Sequence, residues 1–101
     1  MVERQEEIID YIRSQRSRLS ERYHIRRIAL IGSFARDEQT DESDIDLLVD
    51  IEENTPHLYE AKKELRREFE QRFGRRVEVA SERFLKPYYR QQILREAIYV
   101  E

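Results

Sequence analysis

Apolar residues recur along this chain in patterns whose period changes from one segment to the next. Ile8, Ile12, Leu19 and Tyr23 fall at spacings of four and seven among charged residues, which predicts a helix over residues 3–22. Ile28-Ala29-Leu30-Ile31 is a continuous apolar run ended by Gly32, the mark of a strand buried on both faces. Residues 33–36 read as a short helical turn and the all-polar 37–43 as a loop. Over 44–52 the period becomes two: Ile45, Leu47, Val49 and Ile51 point one way, and Asp44, Asp46, Leu48 and Asp50 the other. A second long helix has readable ends, with Thr55 as N-cap, Pro56 at the first helical position and Gly74 just past the end. Leu58, Ala61, Leu65, Phe69 and Phe73 form its buried stripe. Residues 75–80 read as a third strand, with Val77 and Val79 inward and Glu78 opposite. A turn and a short final helix starting near Pro87 fill 82–96, and residues 98–100 add an edge strand or a packed tail. The order is α-β-α-β-α-β-α, with no internal repeat or linker, and a single domain over 1–101 is expected.

Composition narrows the setting. Apolar residues make up 39% and charged residues 41%, so the core must be compact and the surface densely charged. With no cysteine, disulfides and thiolate metal sites are excluded. No apolar run approaches the roughly 20 residues of a membrane helix, and the charged N-terminus leads into no signal-peptide core. A cytoplasmic protein is the default expectation. The net charge of −3 argues against nucleic acid as the main partner. The sum hides clusters: arginines crowd 13–27 and 66–76, while acids concentrate from Asp37 to Glu53. Solvated helix faces with i, i+4 ion pairs explain most of these arginines; an acidic partner surface is the sharper reading.

The candidate chemistry lies between residues 32 and 50. Asp44 and Asp46 share one strand face, so their carboxylates can ligate one hard cation. A third acid on a neighbouring strand would complete a two-metal site, and Glu78 is the acid available on the third strand. Gly32 lets the backbone approach a phosphate closely, Ser33 brings a hydroxyl, and Arg36 one turn on can neutralise charge. Each has a plainer reading. Asp44 and Asp46 could be solvating acids, Ser33 a cap, Arg36 a partner of Asp37 or Glu38, and Glu78 a surface acid. Asp50 is on the same face but about 13 Å along the strand, and reads as a surface acid. His24 and His57 are isolated at element ends. Tyr88, Tyr89 and Tyr99 read as packing residues, or as a partner surface if exposed together.

The stretch Gly32-Ser33-Phe34-Ala35-Arg36 … Ser43-Asp44-Ile45-Asp46-Leu47-Leu48-Val49 resembles the nucleotidyltransferase signature of the DNA polymerase β superfamily. In particular it is similar to the minimal nucleotidyltransferases, or MNT proteins, and the likeness covers nearly the whole chain. The resemblance implies an α+β fold: a small mixed sheet with helices packed on one face. It implies that Gly32 and Ser33 hold a triphosphate and that Asp44 and Asp46 ligate Mg²⁺, two ions in all. The third-strand acid, at the position of Glu78, would complete the metal site and help deprotonate the attacking hydroxyl. That acid is usually aspartate in the family, and a glutamate there is a departure. MNT proteins are commonly antitoxins that transfer AMP from ATP to a tyrosine of a HEPN-domain toxin. The size of the chain fits an acceptor presented by a second protein in a hetero-oligomer. Two alternatives stay open: a binding module that neutralises its partner by occlusion, and a transferase acting on a small molecule or an RNA end.

Overall fold

The computed structural model describes residues 3–101. The predicted first helix is two helices, α1 (Gln5–Ser14) and α2 (Arg16–Tyr23). They break at Gln15, whose N–H reaches the carbonyls of Tyr11 and Ile12. Gln15 and Arg16 occupy the turn where an unbroken stripe between Ile12 and Leu19 needs an apolar residue. Breaking there lets Ile8, Ile12, Leu19 and Tyr23 all reach the core.

Strand β1 (Ile25–Ile31) starts three residues earlier than the apolar run suggests. Its first turn carries Arg26 and Arg27, both exposed, beside a register shift between Ile25 and Arg27. A four-residue turn, α3 (Gly32–Ala35), and a polar loop lead to β2 (Ile45–Ile51). Helix α4 (Leu58–Phe73) begins two residues beyond Pro56, which corrects the predicted cap. Thr55 donates its hydroxyl to the Glu52 carbonyl, closing the turn after β2, and His57 takes the cap position with φ 57°. The far end is as expected: Gly74 adopts φ 66° and donates to the Glu70 carbonyl at 2.8 Å. Strand β3 (Val77–Ser81), a 3-10 turn (Glu82–Phe84), helix α5 (Pro87–Glu96) and the short β4 (Ile98–Tyr99) complete the fold.

The four strands run in the order β3-β2-β1-β4. Strand β2 is antiparallel to β1 and parallel to β3, and β4 is antiparallel to β1. This is the mixed α+β sheet the resemblance implies. The main core covers one face, where Ile28, Leu30, Ile45, Leu47 and Val49 meet Ile8, Ile12 and Leu19 and the α4 stripe of Leu65, Phe69 and Phe73. On the other face Ala29, Ile31 and Leu48 form a smaller cluster against Ile93, Leu94 and Ala97 of the α5 region. Three helices thus share one face, and α5 alone covers part of the second. That cover explains why β1 is apolar on both faces and why Leu48 breaks the acidic face of β2.

Among the described residues, most of the arginines that form ion pairs do so across elements, not along one helix. Arg22 meets Glu64, Arg75 meets Glu3, and Arg26 and Arg27 both meet Asp50. Asp50 is therefore an ion-paired structural acid. The hub of this network is Glu68 on α4. It accepts hydrogen bonds from Tyr11 at 2.8 Å, Tyr23 at 2.9 Å and Arg18 at 3.2 Å, joining α1, α2 and α4. Burial works to raise the Glu68 pKa, but the hydrogen bonds from Arg18, Tyr11 and Tyr23 outweigh it and hold the carboxyl below its usual range. Burial first, then the bond to Glu68, pushes Tyr11 up to about 12.

A carboxyl whose pKa is lower in the folded state stabilises fully above its unfolded pKa. That contribution is lost as the pH falls through the folded value. The melting-temperature gap between wild type and Glu68→Gln is therefore expected to be widest near neutral pH and to close in acid, below about pH 4. A gap that stays constant in thermal melts from pH 7 to pH 3 would refute this assignment.

Candidate active site

The sheet register assembles the candidate residues into one row. Ile31 at the end of β1 faces Asp46 on β2, and Asp46 faces Glu78 on β3. Gly32 follows Ile31 directly, so the glycine turn stands beside the Asp46 carboxylate. Gly32 has φ 74°, and a β-carbon there would lie 2.3 Å from Asp46 Oδ2. Only glycine fits, on grounds of both backbone and space. Asp44 lies just before β2, half-buried, with Arg76 Nε 4.0 Å from its Oδ1.

Asp46 is the most perturbed of these acids. Burial first, then the negative charges of Glu78 and Asp44, push its pKa up to about 6; Arg36 opposes the shift and Glu96 adds to it. The row is thus a group of hard oxygen donors short of positive charge, a donor set that suits Mg²⁺. Among the described residues, no three histidine, aspartate or glutamate side chains converge closely enough to enclose a metal ion by themselves. Asp44 and Asp46 fit the one or two carboxylates that Mg²⁺ usually takes beside phosphate oxygens and water. Glu78 is exposed on its strand, beside Asp46 but not closed upon it.

The other predicted residues divide. Ser33 does not cap α3, whose N-cap is Ile31. The Arg36 guanidinium binds Glu38 Oε1 at 2.9 Å and Glu96 Oε2 at 3.0 Å. The local ion pair is therefore present, with a second carboxylate from α5 that sequence reasoning missed. Glu96 also accepts the Gly32 N–H through Oε1, at 3.1 Å. One carboxylate thus bridges the glycine amide and the arginine, the two donors that could hold an anion. A hollow of about 330 Å³ opens here, with Gly32, Asp46, Glu78, Ile93 and Glu96 in its walls.

A nucleotidyltransferase domain model matches residues 12–100. The chain belongs to this nucleotidyltransferase family. Protein adenylyltransferase MntA of Thermococcus cleftensis is 37% identical over 95 residues, which span 94% of each chain. A solved structure described provisionally as a minimal nucleotidyltransferase superposes with a TM-score of 0.70 at 36% identity, over 89% of this chain and 93% of that one. A toxin–antitoxin crystal structure with AMP-PNP superposes with a TM-score of 0.67 at 20% identity, over 86% of this chain and 70% of that one, a likeness of fold.

This nucleotidyltransferase holds its Asp44 approach in place with a residue that reads from sequence as one more surface arginine. Arg75, only 12% exposed at its side chain, donates to the carbonyls of Ser43 at 2.7 Å and Thr40 at 3.2 Å. It also binds Glu3 at 2.8 Å and stacks 5.3 Å from the Phe34 ring centre. The 37–43 loop is thereby fixed to the residue just before the first acid. The signal in the sequence was slight: Arg75 directly follows the helix-ending Gly74, which turns it back toward that loop. Arg75→Ala is expected to cost about 2–3 kcal/mol of stability, because carbonyls ordered by a charged donor lose it. Amide exchange should accelerate across residues 40–45 well before the α4 core opens; uniform exchange would show the loop to be held otherwise.

Proposed function

We propose that this nucleotidyltransferase transfers AMP from ATP to a hydroxyl of a partner protein, a tyrosine of a HEPN-type toxin, and so serves as its antitoxin. The observation that carries the reading is the row of Gly32, Asp46 and Glu78 across β1, β2 and β3. The names of the relatives support it: one is a protein adenylyltransferase, and another is a toxin–antitoxin complex holding an ATP analogue.

In this reading the Gly32 amide, the Ser33 hydroxyl and Arg36 hold the triphosphate. Asp44, Asp46 and Glu78 would hold Mg²⁺, which when bound supplies charge neutralisation at the phosphates and acidifies the attacking hydroxyl. Asp44 and Asp46 repel a bare phosphate, so their part would be to hold that cation beside it, while the Gly32 amide and Arg36 orient the phosphate toward the acceptor. The acceptor oxygen bonds to the α-phosphorus, the bond to the β-phosphate bridging oxygen breaks, pyrophosphate leaves, and Glu78 takes the hydroxyl proton. Glu78 has one methylene more than the usual aspartate, and its exposed place on an edge strand gives that longer side chain room to reposition. Glu96 already occupies the Gly32 amide and the Arg36 guanidinium, so an entering phosphate must displace it.

Labelled ATP, Mg²⁺ and the partner protein are expected to give a labelled partner. The double variant Asp44→Asn, Asp46→Asn should fall on the order of a hundredfold or more. Gly32→Ala should lose nucleotide binding. Glu96→Gln, which weakens the competing contact, should tighten binding of a non-hydrolysable ATP analogue by up to about tenfold. Weaker binding by Glu96→Gln would show that this carboxylate assists the nucleotide. Occlusion without chemistry is the second reading, favoured by the open position of Glu78. Full protection of cells by the double aspartate variant would establish it over transfer.

A further inference from the structure

The flank of the site away from Gly32 carries charge that phosphate binding leaves unused. A groove of about 370 Å³ runs between α4 and β3. One wall is Tyr59, Lys62, Lys63 and Arg66; the other is the stretch from Val77 to Val79. Two of the three lysines in the sequence stand here. In a chain of net charge −3, none of these three cations takes a carboxylate partner among the described residues, whereas Arg22, close by on α2, takes Glu64 from α4. Lys62 is partly buried, and burial pulls its pKa down, so an anion at this spot offsets a desolvation already present. Tyr59 is 71% exposed, with Lys63 lying 5.5 Å from its ring centre.

Two further observations give the groove a direction. Strand β3 is at the edge of the sheet, so its outer backbone groups face no strand. On that outer side the Val77 N–H already donates to Glu70 Oε2 at 3.3 Å, and from Glu78 onward the edge can accept an extended segment by main-chain pairing. Glu78 belongs both to this groove and to the hollow beside Gly32. The groove therefore reaches the reacting position from the side opposite the glycine turn, the side an in-line attack requires.

We propose that this groove is the docking site of the acceptor protein, which lays an extended acidic segment along the open edge of β3 against Lys62, Lys63 and Arg66. The inference rests on the reading of the chain as a protein-modifying transferase, and charge complementarity selects the acidic partner. The segment presents its hydroxyl at Glu78, and the nucleotide stays on the Gly32 side.

The probe is a random glutamate–tyrosine copolymer, with binding followed by fluorescence anisotropy in the absence of ATP, so that failed AMP transfer leaves the measurement readable. Wild type is expected to bind it. The triple variant Lys62→Glu, Lys63→Glu, Arg66→Glu should bind at least tenfold more weakly while keeping its affinity for an ATP analogue and its melting curve. Lys62→Arg with Lys63→Arg should bind like wild type, and so should the control Lys86→Glu with Arg95→Glu. Unchanged copolymer binding by the triple variant, or no binding by wild type, overturns the proposal. So does an equal loss in the control pair. Loss of ATP-analogue binding in the triple variant would assign the groove to the nucleotide instead, and tighter binding of a single-stranded RNA than of the copolymer would assign it to nucleic acid.

Discussion

The constraint on which this molecule turns is the register of β2 between its two neighbours. An antiparallel ladder to β1 sets Ile31 beside Asp46, and a parallel ladder to β3 sets Asp46 beside Glu78. A slip of one residue on β2 would turn Asp46 into the core and bring Leu47 out. The register is secured by burial: Ile45, Leu47 and Val49 are fully buried on one face, and Leu48 on the other. The row of Gly32, Asp46 and Glu78 is thus held in register by apolar side chains buried on both faces of the sheet. Three local features serve the same row. Gly32 makes room for the Asp46 carboxylate, Arg75 holds the loop before Asp44, and Gly74 turns the chain from α4 into β3.

Two opposed demands meet at that row. Folding favours few buried charges, yet catalysis needs carboxylates close together. The structure answers with partial burial. Burial and the neighbouring acids push the Asp46 pKa up to about 6, while Glu78 stays in solvent and Asp44 has Arg76 nearby. Glu96 belongs to the same balance. It accepts from the Gly32 amide and shares the Arg36 guanidinium with Glu38. The same contact ties the end of α5, the helix that covers part of the second face of the sheet, to the glycine turn.

How much of this the sequence disclosed follows from the range of each interaction. Period and local chemistry revealed β2, the α4 stripe, the Gly74 end and the acids themselves, because all depend on neighbours within a few residues. The break at Gln15 could have been seen, since it lies where an apolar position is missing. The start of α4 was misread because Thr55 had two uses for its hydroxyl, and closing the turn to Glu52 won over capping. Arg75, Glu96 and Glu68 act on partners up to 72 residues away, and apart from the Gly74 that precedes Arg75 nothing in their immediate surroundings separates them from the other charged residues. Tyr88, expected to pack, is 80% exposed, and the Tyr89 ring stands edge-on to its own at 4.7 Å between centres.

The edge position of β3 carries a cost that the fold leaves unpaid elsewhere. Exposed edges invite unwanted pairing, and proteins usually cover them, shorten them or charge them. Here the edge is short and bears Glu78, while lysines and an arginine stand over it from α4. Charges of both signs along one edge deter a second copy less well than a single sign would, because the segment that pairs there can match them. An edge kept only for solubility would have no need of a cationic wall beside an acid of the reactive row. An edge that must admit a substrate, and that reads it by charge, would be built this way. In the proposed reading, the placement of Glu78 on this strand, and not on the buried β1, follows from access: a residue that meets the acceptor has to stand where a second protein can reach it.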